Sequence, residues 1–235
     1  MSRKKNFYLV LDTETANSVE EPLPYDIGWV ICDRDGKIYR RRSYVVSEVF
    51  SDMGDVMLSA YYANKIPQYW DDLKSGKRKL RTMYYIRKVL FGDMKEFNVK
   101  EVGAYNMAFD KKALNNLIRY VTKSEKRWFF PFGTKYFCIW NMASNAILNR
   151  TTYIKFAENN GLISEAGNIS TSAENAYRYL KKDITFIESH TGLEDVEIEV
   201  AIMAACYRQH KKLKRDINKL CWRVPQEKRK QIRAA

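Results

Sequence analysis

The chain has 235 residues and carries 41 Lys and Arg against 28 Asp and Glu, a formal net charge of +13. That length buries one substantial α/β core without requiring a second domain, and no apolar stretch approaches the roughly 20 residues of a membrane-spanning helix. Four scattered cysteines, Cys32, Cys138, Cys206 and Cys221, form no C-x-x-C pair, which argues against a structural zinc site or a disulfide framework. The positive excess attracts polyanions, with nucleic acid the leading partner class. The basic start, Met1 to Lys5, is followed by an apolar run of only Phe7 to Leu11, too short for a secretory signal, so a cytosolic location is expected.

In chain order, Phe7-Tyr8-Leu9-Val10-Leu11 is apolar without polar alternation, the pattern of a strand covered on both faces in the middle of a sheet. Ile27–Cys32 and Ile38–Val46 flank Asp35-Gly36, a turn dipeptide, and together they read as an antiparallel hairpin. From about 56 to 91, tyrosines, Trp70 and basic residues broken by Pro67 and Ser75-Gly76 suggest two helical segments within an insertion at about 50–98. Val99–Tyr105 reads as a strand, and Leu114, Leu117, Ile118 and Val121 have the spacing of a buried helix face. Phe137–Ile139 suggests another strand. Thr171 or Ser172 is placed to cap a helix with Glu174 in its first turn, and a further helix is expected over about 194–207. Residues 1–208 are expected to form one domain, with 209–235 a basic tail read as a helix followed by a disordered end.

Asp12 and Glu14 directly follow the first strand. Residues two apart in extended chain project to one side, so both carboxylates face one point and suit a hard divalent cation. Two other acid-x-acid pairs serve as internal controls: Asp33-Arg34-Asp35 reads as a turn and Glu197-Ile198-Glu199 as a helix surface. What separates Asp12 and Glu14 is placement, because open α/β sheets present ligand sites where central strands end. Asp110 stands at the start of the helix that carries Leu114, where Asn106 or Asp110 could equally serve as a cap. His190, one of two histidines, and Asp195 lie at the entry to the last core helix. An imidazole titrating near neutral pH suits a base that activates water, while a partly buried histidine beside a cap explains the same residue.

Taken together, Leu11-Asp12-Thr13-Glu14-Thr15, Asn106-Met107-Ala108-Phe109-Asp110 and His190-Thr191-Gly192-Leu193-Glu194-Asp195 resemble, in order, the three motifs of the DEDD exonuclease superfamily. The histidine five residues before the last aspartate resembles the DEDDh, or DnaQ-like, branch of proofreading subunits and stand-alone viral (phage) exonucleases. The resemblance covers roughly residues 7–46, 99–122 and 184–207 and implies a ribonuclease-H-like mixed sheet flanked by helices. It also implies two Mg²⁺ or Mn²⁺ ions held by Asp12, Glu14, Asp110 and Asp195, with Asp12 shared between them, and His190 as general base. The activity so implied is 3′–5′ hydrolysis of single-stranded DNA to 5′-mononucleotides, in the bacterial host cytoplasm if the source is viral. RNA trimming, or a nucleic-acid-binding module with attenuated chemistry, are the alternatives. The run Lys126-Arg127-Trp128-Phe129-Phe130-Pro131-Phe132 lies outside the motifs and reads as core packing or a loop plug ahead of a base-stacking platform.

Overall fold

The computed structural model describes residues 5–234; the basic segment 1–4 and the last residue lie outside the described residues. A six-stranded mixed sheet runs in the order β4-β3-β2-β1-β5-β6. Its strands are β1 (Phe7–Ala16), β2 (Leu23–Asp33), β3 (Ile38–Val46), β4 (Leu80–Arg81), β5 (Glu101–Ala104) and β6 (Lys135–Cys138). β1, β2 and β3 form an antiparallel meander, whereas β5 joins β1, β6 joins β5 and β4 joins β3 in parallel. The turn between β2 and β3 forms as the Asp-Gly pair suggests. Asp33 accepts from the Asp35 and Lys37 backbone N–H groups, and Gly36 takes a φ of +88°.

β1 is central and fully covered, with Leu9, Val10 and Leu11 all at zero exposure. The alternation of a strand sorts its side chains between two cores. Leu9 and Leu11 join Ile27, Trp29 and the helix α5 (Met107–Thr122), while Tyr8 and Val10 join the layer of α6 (Ile139–Ala146) and α9 (Gly192–Tyr207). Asp12 and Glu14 continue the even-numbered series and so face the α9 side. β1 does not stop before them: it runs on to Ala16 with a register shift between Glu14 and Thr15. The two acids are therefore held within a paired strand rather than just beyond its end.

Residues 47–98 fold as the short helices α1 (Ser47–Phe50) and α2 (Gly54–Met57), a 3-10 turn, α3 (Ile66–Lys74), β4 and α4 (Met83–Glu96). The two expected helical segments are α3 and α4. The chain between them also contributes β4, which pairs Leu80 with Val45 and so covers part of the edge β3 would otherwise leave open. Inside the fold α4 is anchored by Asp93, which accepts from the Trp29 indole at 3.0 Å and from Arg40 at 3.0 Å. α7 (Thr151–Asn159) and α8 (Ala173–Lys181) complete the α9 layer, with Ser172 capping α8 by accepting from the Asn175 N–H.

The basic tail reverses the order expected for it. Residues 208–222 are irregular, and the helix, α10 (Arg223–Ala234), comes last. Pro225 does not break α10, because it lies in the first turn, where a helix needs no N–H donor. Arg229 and Arg233 both donate to Glu158 of α7, and Cys138 donates its backbone N–H to Arg215, which docks the tail against the α6 and β6 side. Among the described residues no helix is long and apolar enough to cross a membrane.

Candidate active site

One cleft of about 410 Å³ opens at the end of β5 and is lined by Asp12, Glu14, Asp110, His190 and Asp195, the five residues singled out from the sequence, together with Glu199. Its construction follows from the layers. β5 accompanies β1 only as far as the Val10–Gly103 pair, so beyond Val10 the side of β1 away from β2 is uncovered. α9 supplies the roof. Its first residue, Gly192, presses on Gly28 of β2 so closely that a Cβ on Gly28 would lie 2.3 Å from the Gly192 carbonyl carbon. Only glycines permit that approach, and it sets Asp195, one turn into the helix, over the even-numbered face of β1. Carboxylate oxygens of Asp12, Glu14 and Asp195 consequently lie within 4.8 Å of one another.

Asp110 arrives from the opposite layer. It lies in the first turn of α5 and accepts a hydrogen bond from the Thr13 hydroxyl at 2.9 Å. Thr13 points to the α5 side as Asp12 points to the α9 side, so β1 carries acids to one layer and holds an acid of the other. Asn106 occupies the N-cap position of α5 without a side-chain cap bond.

Electrostatically the cleft is under strain. Burial is the leading reason that Glu14 is pushed up to about 9, Asp110 to about 7 and Asp195 to about 6, and neighbouring acids add to the rise at Glu14. Asp12, although partly open to the cleft, is raised most by desolvation on burial and then by Asp110, Glu199, Glu14 and Asp195. The Thr191 N–H and the Ser189 hydroxyl donate to Asp195, which keeps its rise the smallest of these. Among the described residues no Lys, Arg or His forms an ion pair with Asp12, Glu14, Asp110, Asp195 or Glu199. A buried set of hard oxygen donors with no protein cation beside it is a donor set that suits a divalent cation.

His190 takes the left-handed backbone conformation, φ +53°, just before α9. Its ring stacks on Tyr62, with centroids 4.0 Å apart and planes 13° from parallel. Burial, followed by the smaller contribution of Lys65, lowers its pKa against the opposing pull of Glu174, which keeps the imidazole neutral and able to accept a proton near pH 7. His190, Glu174 and Glu188 also bring potential ligand atoms within 4.8 Å of one another. Burial pushes Glu188 up to about 8, with Asp195 and Glu174 adding repulsion.

Tyr61, Tyr62, Glu188 and Glu199 line the cleft but were not among the expected site residues. Tyr61 and Tyr62 come from the insertion, and Tyr61 is 86% exposed. Glu199 corrects the reading of Glu197-Ile198-Glu199 as a helix surface: Glu197 does face solvent and pairs with Arg41, but Glu199 is only 3% exposed and lines the cleft. The signal that finds it is the helical spacing from Asp195, i to i+4, rather than the two-residue spacing from Glu197. The aromatic run splits: Phe129 and Phe130 are buried in the α5 core, whereas Trp128 and Phe132 are exposed.

No family model and no curated protein matches the sequence. Solved structures do match in fold. A zinc-bound complex of E. coli exonuclease I with single-stranded DNA aligns with 88% of this chain at a TM-score of 0.57 and 14% identity. E. coli exonuclease I with a 5cy-dT13 oligonucleotide aligns with 88% at 0.54 and 13%, and with a dA16 oligonucleotide over 84% at 0.51 and 14%. The chain spans only 42%, 41% and 40% of those three structures' lengths. The likeness is one of fold: the mixed sheet with its flanking helices is the ribonuclease-H-like α/β fold that exonuclease I contains.

Proposed function

We propose that this chain is a divalent-cation-dependent 3′–5′ exonuclease of the DEDDh type, acting on single-stranded DNA and releasing 5′-mononucleotides. The observation that carries the reading is the group Asp12, Glu14 and Asp195, oxygens within 4.8 Å and no protein cation beside them, in one cleft with Asp110 and a neutral histidine. Asp12, Glu14 and Asp195 would hold one Mg²⁺ or Mn²⁺, and Asp110 with Asp12 a second. Bound there, the cations would neutralise the scissile phosphate, acidify the attacking water and stabilise the departing oxygen.

The chain's own residues account for the remaining steps. Water adds to phosphorus as the bond to the 3′ oxygen breaks; His190 takes the proton of that water, and the departing 3′ oxygen takes a proton from solvent water to leave as a hydroxyl. Tyr62, stacked on the imidazole, fixes its plane and shields one face from solvent. A second hollow of about 380 Å³ shares Val19, Asn106 and Phe109 with the cleft and adds Lys112 and Lys219. Those lysines would meet the phosphates of a strand running away from the acids, and the net charge of +13 favours such a partner. The bound oligonucleotides of the exonuclease I structures support single-stranded DNA as the first substrate to test.

Digestion of 3′- and 5′-labelled single-stranded DNA, duplex DNA and RNA in Mg²⁺ or Mn²⁺ tests the reading. Mononucleotide release from the 3′ end of single-stranded DNA is expected. Release from the 5′ end, internal cutting, or a requirement for the 2′-hydroxyl would replace it.

A further inference from the structure

Glu199 stands out among the groups of the cleft that the three sequence motifs leave unused. It lies one turn beyond Asp195 on the same face of α9, is 3% exposed, and its Oε2 has no hydrogen-bond partner. Its surroundings are well defined. Burial first, then repulsion by Asp110, and to a lesser extent by Glu188 and Asp195, holds its carboxyl well above the usual carboxylate range, against the opposing effect of the Tyr105 backbone at the turn between β5 and α5. Glu199 lines the cleft with Asp12 and Asp110 but stands outside the triple of Asp12, Glu14 and Asp195 whose oxygens lie within 4.8 Å of one another.

Oε2 of Glu199 is buried with no hydrogen-bond partner. The rest of this helix face is apolar, with Val196, Val200 and Met203 buried, so an apolar residue would fill the position without leaving a polar atom unpaired. A buried acid at the cleft wall with an oxygen left unpaired has the form of a group that completes a cation's surroundings.

Resting on the nuclease reading above, we propose that Glu199 is a fifth carboxylate of the cation site, serving the ion on the Asp12 and Asp110 side. Glu14 and Asp195 supply the first ion, together with Asp12. The second has only Asp110 and the shared Asp12 from the predicted set, and Glu199 adds the missing charge and oxygen. Its contribution falls on affinity for that ion, either by direct contact or through the ion's own water.

Mn²⁺ binding to the full chain, followed by electron paramagnetic resonance of the free ion, tests this without reference to turnover. The wild type is expected to take two ions of unequal affinity. E199Q, which keeps the shape and removes the charge, should leave the tighter ion unchanged and weaken the other by about 10- to 100-fold, the effect typical of losing a supporting group. E197Q, altered on the exposed side of the same helix, should leave both unchanged. Equal affinities in E199Q and wild type, or equal weakening of both ions, would overturn the proposal while leaving the nuclease reading intact. So would a wild type that binds only one ion. A wild type that binds none would overturn both. Circular dichroism checks that E199Q is folded; should it misfold, E199L makes the same test, and misfolding of both would show Glu199 to be structural.

Discussion

Two carboxylates face each other across β1 and β2 in nearly equal burial and in opposite circumstances. Asp26, at zero exposure, accepts from Arg78 at 3.0 Å, the Tyr69 hydroxyl at 2.7 Å, Ser43 at 3.2 Å and the Gly192 N–H at 3.2 Å. Its cross-strand partner Glu14, 7% exposed, has no cation beside it and is raised by burial and by Asp195, Asp26 and Glu188. The Asp26 cluster is complete within the protein. It binds the insertion, through Arg78 and Tyr69, to the start of α9, and Arg78 extends the link to Asp72 and Glu194. The Glu14 side has no counter-charge within the protein, and on the proposed function a cation would complete it. One cluster is a lock and the other a socket, and the lock holds the roof of the socket in place.

Four changes break or sharpen that contrast. D12N should have the largest effect on activity, a loss on the order of 10³-fold or more, because it removes the acid common to both proposed ions. Its melting temperature in chelator should match or exceed that of the wild type, since repulsion is relieved, and calorimetry beside the nuclease assay reads both. H190A should slow turnover by about 10²- to 10⁴-fold with KM little changed; equal losses in rate and binding would make the histidine a structural residue. R78M attacks the lock instead. It leaves Asp26 buried and unpaired and should cost about 3–5 kcal/mol by denaturant unfolding, with or without Mg²⁺.

The fourth change is one of pH. Glu14, Asp110 and Asp195 have folded pKa values of about 9, 7 and 6, above their unfolded values near 4. The native state then binds more protons than the unfolded state across that window, so stability falls as pH rises from about 5 to 9. His190, whose pKa is lowered on folding, works in the opposite direction as a single group. Melting curves in chelator should therefore shift downward between pH 5.5 and 8.5. Saturating Mg²⁺, which favours the deprotonated acids, should reduce or reverse that shift.

Much of this was legible in the residues and some was not, for physical reasons. The apolar run at Phe7–Leu11 located the central strand, and the order of the acids located the cleft. The strand's true end did not show, because Asp12 and Glu14 are poor strand formers that backbone pairing with β2 nevertheless keeps extended. Glu199 was hidden by a two-residue comparison where the helix imposes a spacing of four. Tyr62 was visible only as one of the insertion's many aromatics: its place beside His190 depends on how residues 47–98 fold back over the sheet. α6 and α7 were also unread, since their buried faces mix Asn141, Ser144 and Tyr153 with aliphatic residues and blur the helical period.

The central claim is that the socket becomes a hydrolytic site only when a divalent cation fills it. Release of mononucleotides from 3′-labelled single-stranded DNA should be followed for wild type and D12N purified in parallel, in chelator and then with added Mg²⁺ or Mn²⁺. The account predicts no release in chelator, recovery in the wild type as cation is added, and none in D12N at any concentration. Hydrolysis by the wild type in excess chelator, or undiminished hydrolysis by D12N, would contradict it.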